Sequence, residues 1–315
     1  MPEGSRLKAL LHGAPAIFAR STQTTRKILM ITTRRLAIVL IPVLILASSG
    51  LTTAHAGAHT SAEPAPVSAP AAVPRPEGYV PTVLVTGANR GIGLELARQY
   101  AARGWKVIGT ARRPAEAKDL NALAAGSDGR VVVEALDVMD LAAIDALARK
   151  YAGKPVDILF NNAGVTGGGA NQQFAKNMQW ELFDSVNRTN VVGPLKLAEA
   201  FLPNLLAGYE KKISNVSSSQ GSIASTKTGT LYVYRSSKAA LNMVMVNLAN
   251  QLKSKGIAVA LIDPGPVDTD MMAGLPKKML RPVTTAGSDL IRITDQLTVA
   301  NTGTYWTFDG TVLPW

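Results

Sequence analysis

No cysteine occurs in the 315 residues. That absence excludes thiol nucleophiles, Cys-ligated zinc, iron–sulfur clusters, disulfides and a lipidated cysteine anchor. Histidine is nearly as scarce, and His12, His55 and His59 all stand near the N-terminus. The body of the chain therefore works without imidazole, which removes Ser/His/Asp hydrolysis and the common histidine metal sites. No metal is expected, and proton transfer falls to Tyr, Lys, Asp or Glu. Charged residues make up only 17% of the chain and apolar ones 47%, which fits one large α/β unit with an appendage. The net charge of +11 invites a nucleic-acid or membrane reading. However, residues 1–78 hold eight Lys/Arg against three Asp/Glu, and the remainder 25 against 19, so nearly half the excess is terminal. The body has no basic stripe interleaved with aromatics, and nucleic acid is not an expected partner.

Residues 1–56 read as an N-terminal extension and signal peptide. Leu36 to Leu46 is uncharged and apolar, follows Arg34-Arg35, and leads to the small-x-small site Ala54-His55-Ala56. Pro42 and the polar turn at Ser48 make the run short for a membrane span. A retained tether through residues 36–51, an organelle transit peptide and a start at Met30 are the competing readings, and Thr33-Arg34-Arg35 resembles a twin-arginine opening. The protein is thus expected to be exported (periplasmic or extracellular) or membrane-anchored, and cytoplasmic if the leader does not function. Residues 57–78 are rich in Ala and Pro and read as an extended linker. His55 and His59 have a helical metal-ligand spacing, but the intervening Gly57 favours solvated linker histidines.

Residues 79–315 read as one domain. Pro81–Thr86 is a short apolar run, and Gly91–Arg103 carries apolar residues at helical spacing. Further strands are predicted at 105–110, 130–136, 156–160, 212–216 and 257–262, with helices at 141–151, 181–206 and 239–253 among the intervening segments. This alternation predicts a Rossmann-type, doubly wound parallel sheet with its ligand crevice at the carboxyl ends of the strands.

Thr86-Gly-Ala-Asn-Arg-Gly-Ile-Gly93 joins the first strand to its helix. Gly87 suits a tight turn, Gly91 lets backbone N–H groups approach a pyrophosphate, and Gly93 allows close packing with the positive helix end aimed at phosphate. The second strand ends in Arg112-Arg113, where an NAD-selective acid would stand. With Arg90 inside the glycine turn, these arginines favour a ribose 2′-phosphate, hence NADP(H) over NAD(H).

Tyr234-Arg-Ser-Ser-Lys238 puts a phenol and an ammonium four apart on one helix face. A phenol titrating near 10 is a poor proton shuttle at neutral pH. An ammonium about 4 Å away at an effective dielectric of about 20 attracts the phenolate by roughly 4 kcal/mol, so a lowered tyrosine pKa is expected.

Taken in order, TGANRGIG at 86–93, Asp137-Val138, Asn161-Asn162-Ala163-Gly164, Ser218, YRSSK at 234–238 and Pro264-Gly265-Pro-Val-Asp-Thr269 resemble the short-chain dehydrogenase/reductase family. The resemblance covers residues 82 to 315. YRSSKAALNM at 234–243 and the closing FDGTVLPW at 308–315 are similar to its C-factor-like carbonyl reductase branch. The resemblance implies Tyr234 as general acid in carbonyl reduction and base in alcohol oxidation, with Lys238 lowering its pKa and holding the nicotinamide ribose. It implies Ser218 as the hydrogen-bond partner of the substrate oxygen and Asn190, rather than Asn187, as the relay residue. Cofactor contacts would come from Gly87, Asn89, Arg90, Gly91, Ile92, Gly93, Arg112, Asp137, Val138, Asn161, Ala163, Gly164, Pro264, Gly265, Val267 and Thr269.

Two features depart from the family pattern. The 16 residues from Ser218 to Tyr234 exceed the common spacing, so 221–230 must form a loop or bulge beside the site, and Tyr232 offers a second phenol that lacks a lysine partner. Met271, Met272, Leu275, Met279 and Leu280, with the rim 166–171, suggest an apolar ketone or aldehyde as substrate. The family also implies a homodimer or homotetramer through the helices at 181–206 and 231–253. The rival functional reading is a dinucleotide-binding signalling protein of C-factor type without essential turnover.

Overall fold

Strand β1 (Thr82–Val85) is hydrogen-bonded on both sides, and every one of its four residues is buried. In the computed structural model, which describes residues 75–169 and 173–315, it is the third strand of a parallel seven-stranded sheet. The leader at 1–56, the apolar run 36–51, residues 57–74 of the linker and residues 170–172 lie outside the described residues. Among the described residues, no helix is long and apolar enough to cross a membrane.

After β1 come α1 (Gly91–Ala102), β2 (Lys106–Ala111), α2 (Lys118–Ala125), β3 (Val131–Ala135), α3 (Leu141–Lys150) and β4 (Ile158–Asn161). The second half has α4 (Glu181–Asn187), α5 (Gly193–Ala200), α6 (Leu202–Ala207), β5 (Lys212–Val216), α7 (Tyr232–Leu252), β6 (Ala258–Asp263), α8 (Val283–Asp295) and β7 (Thr304–Thr307). The strand order is β3-β2-β1-β4-β5-β6-β7. The chain reverses its winding between β1 and β4, and a crevice opens there at the strands' carboxyl ends.

Alternation along the strands divides the core into two layers. Val83 and Val85 face one way, into a cluster with Leu96 and Tyr100 of α1, Leu120 of α2 and Leu290 of α8. Leu84 faces the other way, toward Ile144 of α3, Leu197 of α5 and Met245 of α7. Each such fully buried side chain contributes about 1.5–3 kcal/mol relative to exposure. Because both faces are covered, β1 and β4 are buried throughout and mostly apolar, while the polar residues of β5, Ser214 and Asn215, are buried with hydrogen-bond partners.

Three details depart from the sequence reading. β7 was not predicted, since TYWT is only four residues long and lacks a flanking helix signal. The helix expected over 181–206 is interrupted by a π-turn at Arg188–Val192 and ends in two short pieces. The helix expected over 231–253 begins at Tyr232 as read, but behind Leu231 in a left-handed conformation, φ 57°, which nothing in the sequence announced.

Candidate active site

The first turn of α1 has no acidic residue and no side-chain cap, so its N–H groups are available to an anion. Gly87 (φ +64°) and Gly91 (φ +54°) hold left-handed turns that L side chains resist. Gly93 is closed in: a Cβ there would meet the Gly87 carbonyl at 2.3 Å and Asn162 Nδ2 at 2.4 Å. Asn162 fastens this turn, its Nδ2 donating to the carbonyls of Thr86 (2.8 Å) and Gly87 (3.2 Å). Thr86 Oγ1 in turn accepts the N–H groups of Asn162 and Ala163, each at 3.0 Å. The turn after β4 is thus locked to the glycine turn after β1, leaving backbone lining the crevice between them.

The side chains that the sequence reading gave to the cofactor divide into two kinds. Arg112 is exposed and makes no ion pair among the described residues, whereas Arg113 pairs with Glu116 at 3.1 Å. Arg90 reaches across to Asp270, Nη1 to Oδ2 at 2.8 Å, with both groups largely exposed. Asp137 accepts the N–H of Met139 at 2.9 Å, and the backbone of Val138 lies against Gly193. Asn161 turns away from the crevice: its Nδ2 donates to Asn215 Oδ1 at 2.9 Å, tying β4 to β5. Asn89 and Ile92 sit within the glycine turn and the start of α1, and Pro264, Gly265, Val267 and Thr269 form the loop after β6. Thr269 touches the position of a Gly91 Cβ at 3.2 Å, so that loop closes on the glycine turn.

At the ends of β5 and β6 the site is built from side chains instead. Tyr234 and Lys238 lie one turn apart on α7, both buried. Lys238 Nζ donates to the Val216 carbonyl at 2.8 Å and stands 5.8 Å from the Tyr234 ring centre. Ser218 follows β5, and its side chain is close enough to the Tyr234 phenol to favour its ionised form. The π-turn presents Asn190 inward, where its Oδ1 accepts from Val165 N at 2.9 Å and its Nδ2 donates to Val165 O at 2.8 Å. Asn190 Oδ1 and Lys238 Nζ flank Gly164, 3.4 and 3.7 Å from where its Cβ would be. Asn187 instead bonds within its own helix, to the Phe183 carbonyl at 2.8 Å. Tyr232 is exposed on the helix surface.

Electrostatics at this site differ from the sequence expectation. Burial pushes the Tyr234 phenol up to about 12, with the Ser218 hydrogen bond pulling it down and the negative charge of Asp263 adding to the rise. Burial brings the Lys238 ammonium down to about 8, opposed by Asp263. At nearly 6 Å from the ring centre, Lys238 does not outweigh the loss of water around the phenol. Asp263 itself is raised by burial, a rise that hydrogen bonds from Ser219 and Gly265 partly offset.

Three supporting residues escaped the sequence reading. Gln173 is fully buried; its Oε1 caps the N–H of Tyr234 at 3.1 Å while its Nε2 donates to the Thr166 carbonyl at 2.7 Å. Asp263 is the buried carboxyl just described, and Tyr305 donates its hydroxyl to the Ser218 carbonyl. The only local signal was the position of Asp263 beside Pro264-Gly265. Among the described residues, no group of three or more His, Asp or Glu could hold a metal ion.

This combination of sheet, glycine turn and Ser/Tyr/Lys cluster has relatives. The chain belongs to the short chain dehydrogenase family, whose model matches residues 81–280. It is 34% identical, over 74% of its length and 99% of the relative's, to 1-hydroxy-2-glutathionyl-2-methyl-3-butene dehydrogenase of Rhodococcus sp. (strain AD45). It is 35% identical to the C-signal of Myxococcus xanthus, over 54% of this chain and 99% of that protein. Among solved structures, the NADPH-bound carbonyl reductase from chicken fatty liver superposes with a TM-score of 0.68 at 32% identity, covering 75% of this chain and 99% of that one.

Proposed function

We propose that the chain is an NADPH-dependent reductase of aldehydes or ketones, with Tyr234 as the proton donor. The observation that carries this reading is the cluster of Ser218, Tyr234, Lys238 and Asn190 beside Gly164, at the mouth of a glycine-built anion site. The left-handed glycines, the open first turn of α1 and the exposed Arg112 fit a dinucleotide with a 2′-phosphate. The NADPH-bound chicken relative supports the same choice of cofactor. Hydride is the chemistry that NADPH supplies when bound.

The chain's own residues do the rest. Ser218 hydrogen-bonds the carbonyl oxygen of the substrate, and Tyr234 protonates that oxygen as negative charge develops on it. A phenol held up at about 12 keeps its proton at neutral pH, as the proton donor in carbonyl reduction must. Lys238 and Asn190 resupply the proton from the side of Gly164. Met271, Leu275 and Met279 are exposed on the short turns after Thr269 and offer an apolar wall to the substrate. The same reading makes the protein a homodimer or homotetramer, since Val192, Leu195, Leu206 and Met243 leave apolar surface on the helices from α5 to α7.

The test is NADPH consumption by the full chain against a panel of aldehydes, ketones and quinones, beside Tyr234→Phe. The variant should lose roughly 10²–10⁴-fold in kcat while still binding NADPH. Tight NADPH binding by the wild type without turnover on any carbonyl would transfer the assignment to a dinucleotide-binding signalling protein. No binding at all would remove the cofactor.

A further inference from the structure

The closing motif FDGTVLPW has no part in the chemistry above, yet the structure brings it back to the catalytic serine. Gly310 (φ +94°) reverses the chain after β7, and the return is fixed by Thr307 N to Thr311 O and Leu313 N to Tyr305 O, each at 2.8 Å. The last tryptophan then stacks on Tyr305, ring centres 5.3 Å apart and planes at 17°. Tyr305 is fully buried, and its hydroxyl donates to the backbone carbonyl of Ser218. The carbonyl of Trp315 accepts the N–H of Ala224 at 2.8 Å, inside the long loop that separates Ser218 from Tyr234. The other end of the motif braces the loop after β6, where Phe308 lies 2.9 Å from the position a Gly265 Cβ would take.

We propose that residues 304–315 are a positioning element for the active site, in which Trp315 fixes Tyr305 through its ring and the extended 221–230 loop through its carbonyl, and Tyr305 fixes Ser218. The proposal rests on the reductase reading for its effect on turnover, but its mechanical part stands independently. An extended loop beside a catalytic group adds conformational freedom at the point where the geometry must be held. The tail removes that freedom from outside the loop. Ser218 is held locally by Gln220 N, which donates to its hydroxyl at 3.2 Å, and by Gly221 N, which donates to its carbonyl at 2.8 Å; Tyr305 adds the bond to that carbonyl that comes from outside the turn. Trp315 acts only through Tyr305 and the loop, so both are positioning residues.

The experiment compares the full-length wild type with Tyr305→Phe, Trp315→Ala and Trp315→Phe. Hydrogen exchange by mass spectrometry reads the backbone at 218–230, fluorescence titration reads NADPH affinity, and steady-state kinetics read kcat and KM separately. Tyr305→Phe keeps the core ring and loses only the hydroxyl. It and Trp315→Ala should each speed exchange locally at 218–230, lower kcat roughly 10- to 100-fold and leave NADPH affinity within about twofold. Trp315→Phe, which keeps an aromatic stack, should recover most of both effects. Unchanged exchange at 218–230 would overturn the proposal. So would faster exchange spread over the whole sheet with NADPH affinity lost in proportion, the signature of general destabilisation. If the wild type turns over no carbonyl, the reductase reading falls, and the exchange measurement still decides the anchoring.

Discussion

The two halves of the crevice are built from different materials. On the side of β1 and β4, the surface facing the cofactor is backbone: glycines in left-handed turns, the open end of α1, and a turn pinned by Asn162 and Thr86. On the side of β5 to β7 it is side chain: a buried phenol, a buried ammonium and a serine, each held by a residue far away in sequence. Backbone sites depend on which residues are small enough, so they fail by steric intrusion. Side-chain sites depend on burial and hydrogen bonding, so they fail by titration or by loss of a support.

The largest effect should come from steric intrusion on the first side. Gly93→Ala drives a methyl into the Gly87 carbonyl and the Asn162 amide, an overpacking that costs about 1–3 kcal/mol and distorts the turn. NADPH binding by fluorescence titration should weaken by more than about tenfold. The residual kcat at saturation should keep the wild-type pH dependence. A changed pH profile in this variant would erase the distinction between the two halves.

Titration should break the second side. Lys238 is charged below its pKa of about 8 and neutral above it, so kcat should fall as pH rises through that value, with NADPH affinity much less affected. For stability the sign is the reverse: an unfolded Lys keeps its proton to about 10.4. Between about 8 and that value the unfolded state binds more protons, and stability rises with pH as the cost of burying the charge disappears. Buried tyrosines act oppositely. Tyr100, Tyr151, Tyr234 and Tyr305 are all raised by burial, so their contribution is intact below about 10 and lost as pH climbs past it. Thermal melts across pH 7 to 11 would reveal a maximum near the upper part of that range, and a monotonic fall from neutrality would contradict the assignment for Lys238.

The smallest effect concerns a place at the mouth where the halves touch through charge. Arg90 and Asp270 are paired across the mouth, so on the proposed reading Asp270 would compete with a 2′-phosphate for the same guanidinium. Both are exposed, and such pairs contribute at most about 1 kcal/mol. Asp270→Asn should therefore tighten NADPH a few-fold and NADH hardly at all, with the difference shrinking in high salt.

The same contrast explains what could be read from the sequence. The glycine turn is local, so residues 86–93 announced it unaided, and Tyr234 with Lys238 announced a shared helix face. Strands β1 to β6 fell within about two residues of their predicted bounds because most are apolar runs between turn signals. What was missed is what is not local. Gln173 caps Tyr234 from 61 residues away, and Tyr305 reaches Ser218 across 87. Neither contact leaves a spacing to detect, since it depends on which strand lies next to which. The expected lowering of the Tyr234 pKa failed for a related reason: spacing placed the ammonium nearby but could not weigh its attraction against burial.

The π-turn at Arg188–Val192 has a consequence for how this chain tolerates change in length. It fits one more residue into the helical path than regular winding would use, and that surplus residue turns Asn190 toward Val165 and Ser237. Removing Arg188 or Thr189 would let the segment relax into a continuous α-helix, rotating Asn190 by about 100° relative to α4 and away from the crevice. Such a deletion would regularise the helix and take Asn190 away from Val165 and Ser237. In this stretch, selection for a more stable fold and selection for a working site favour chains of different length.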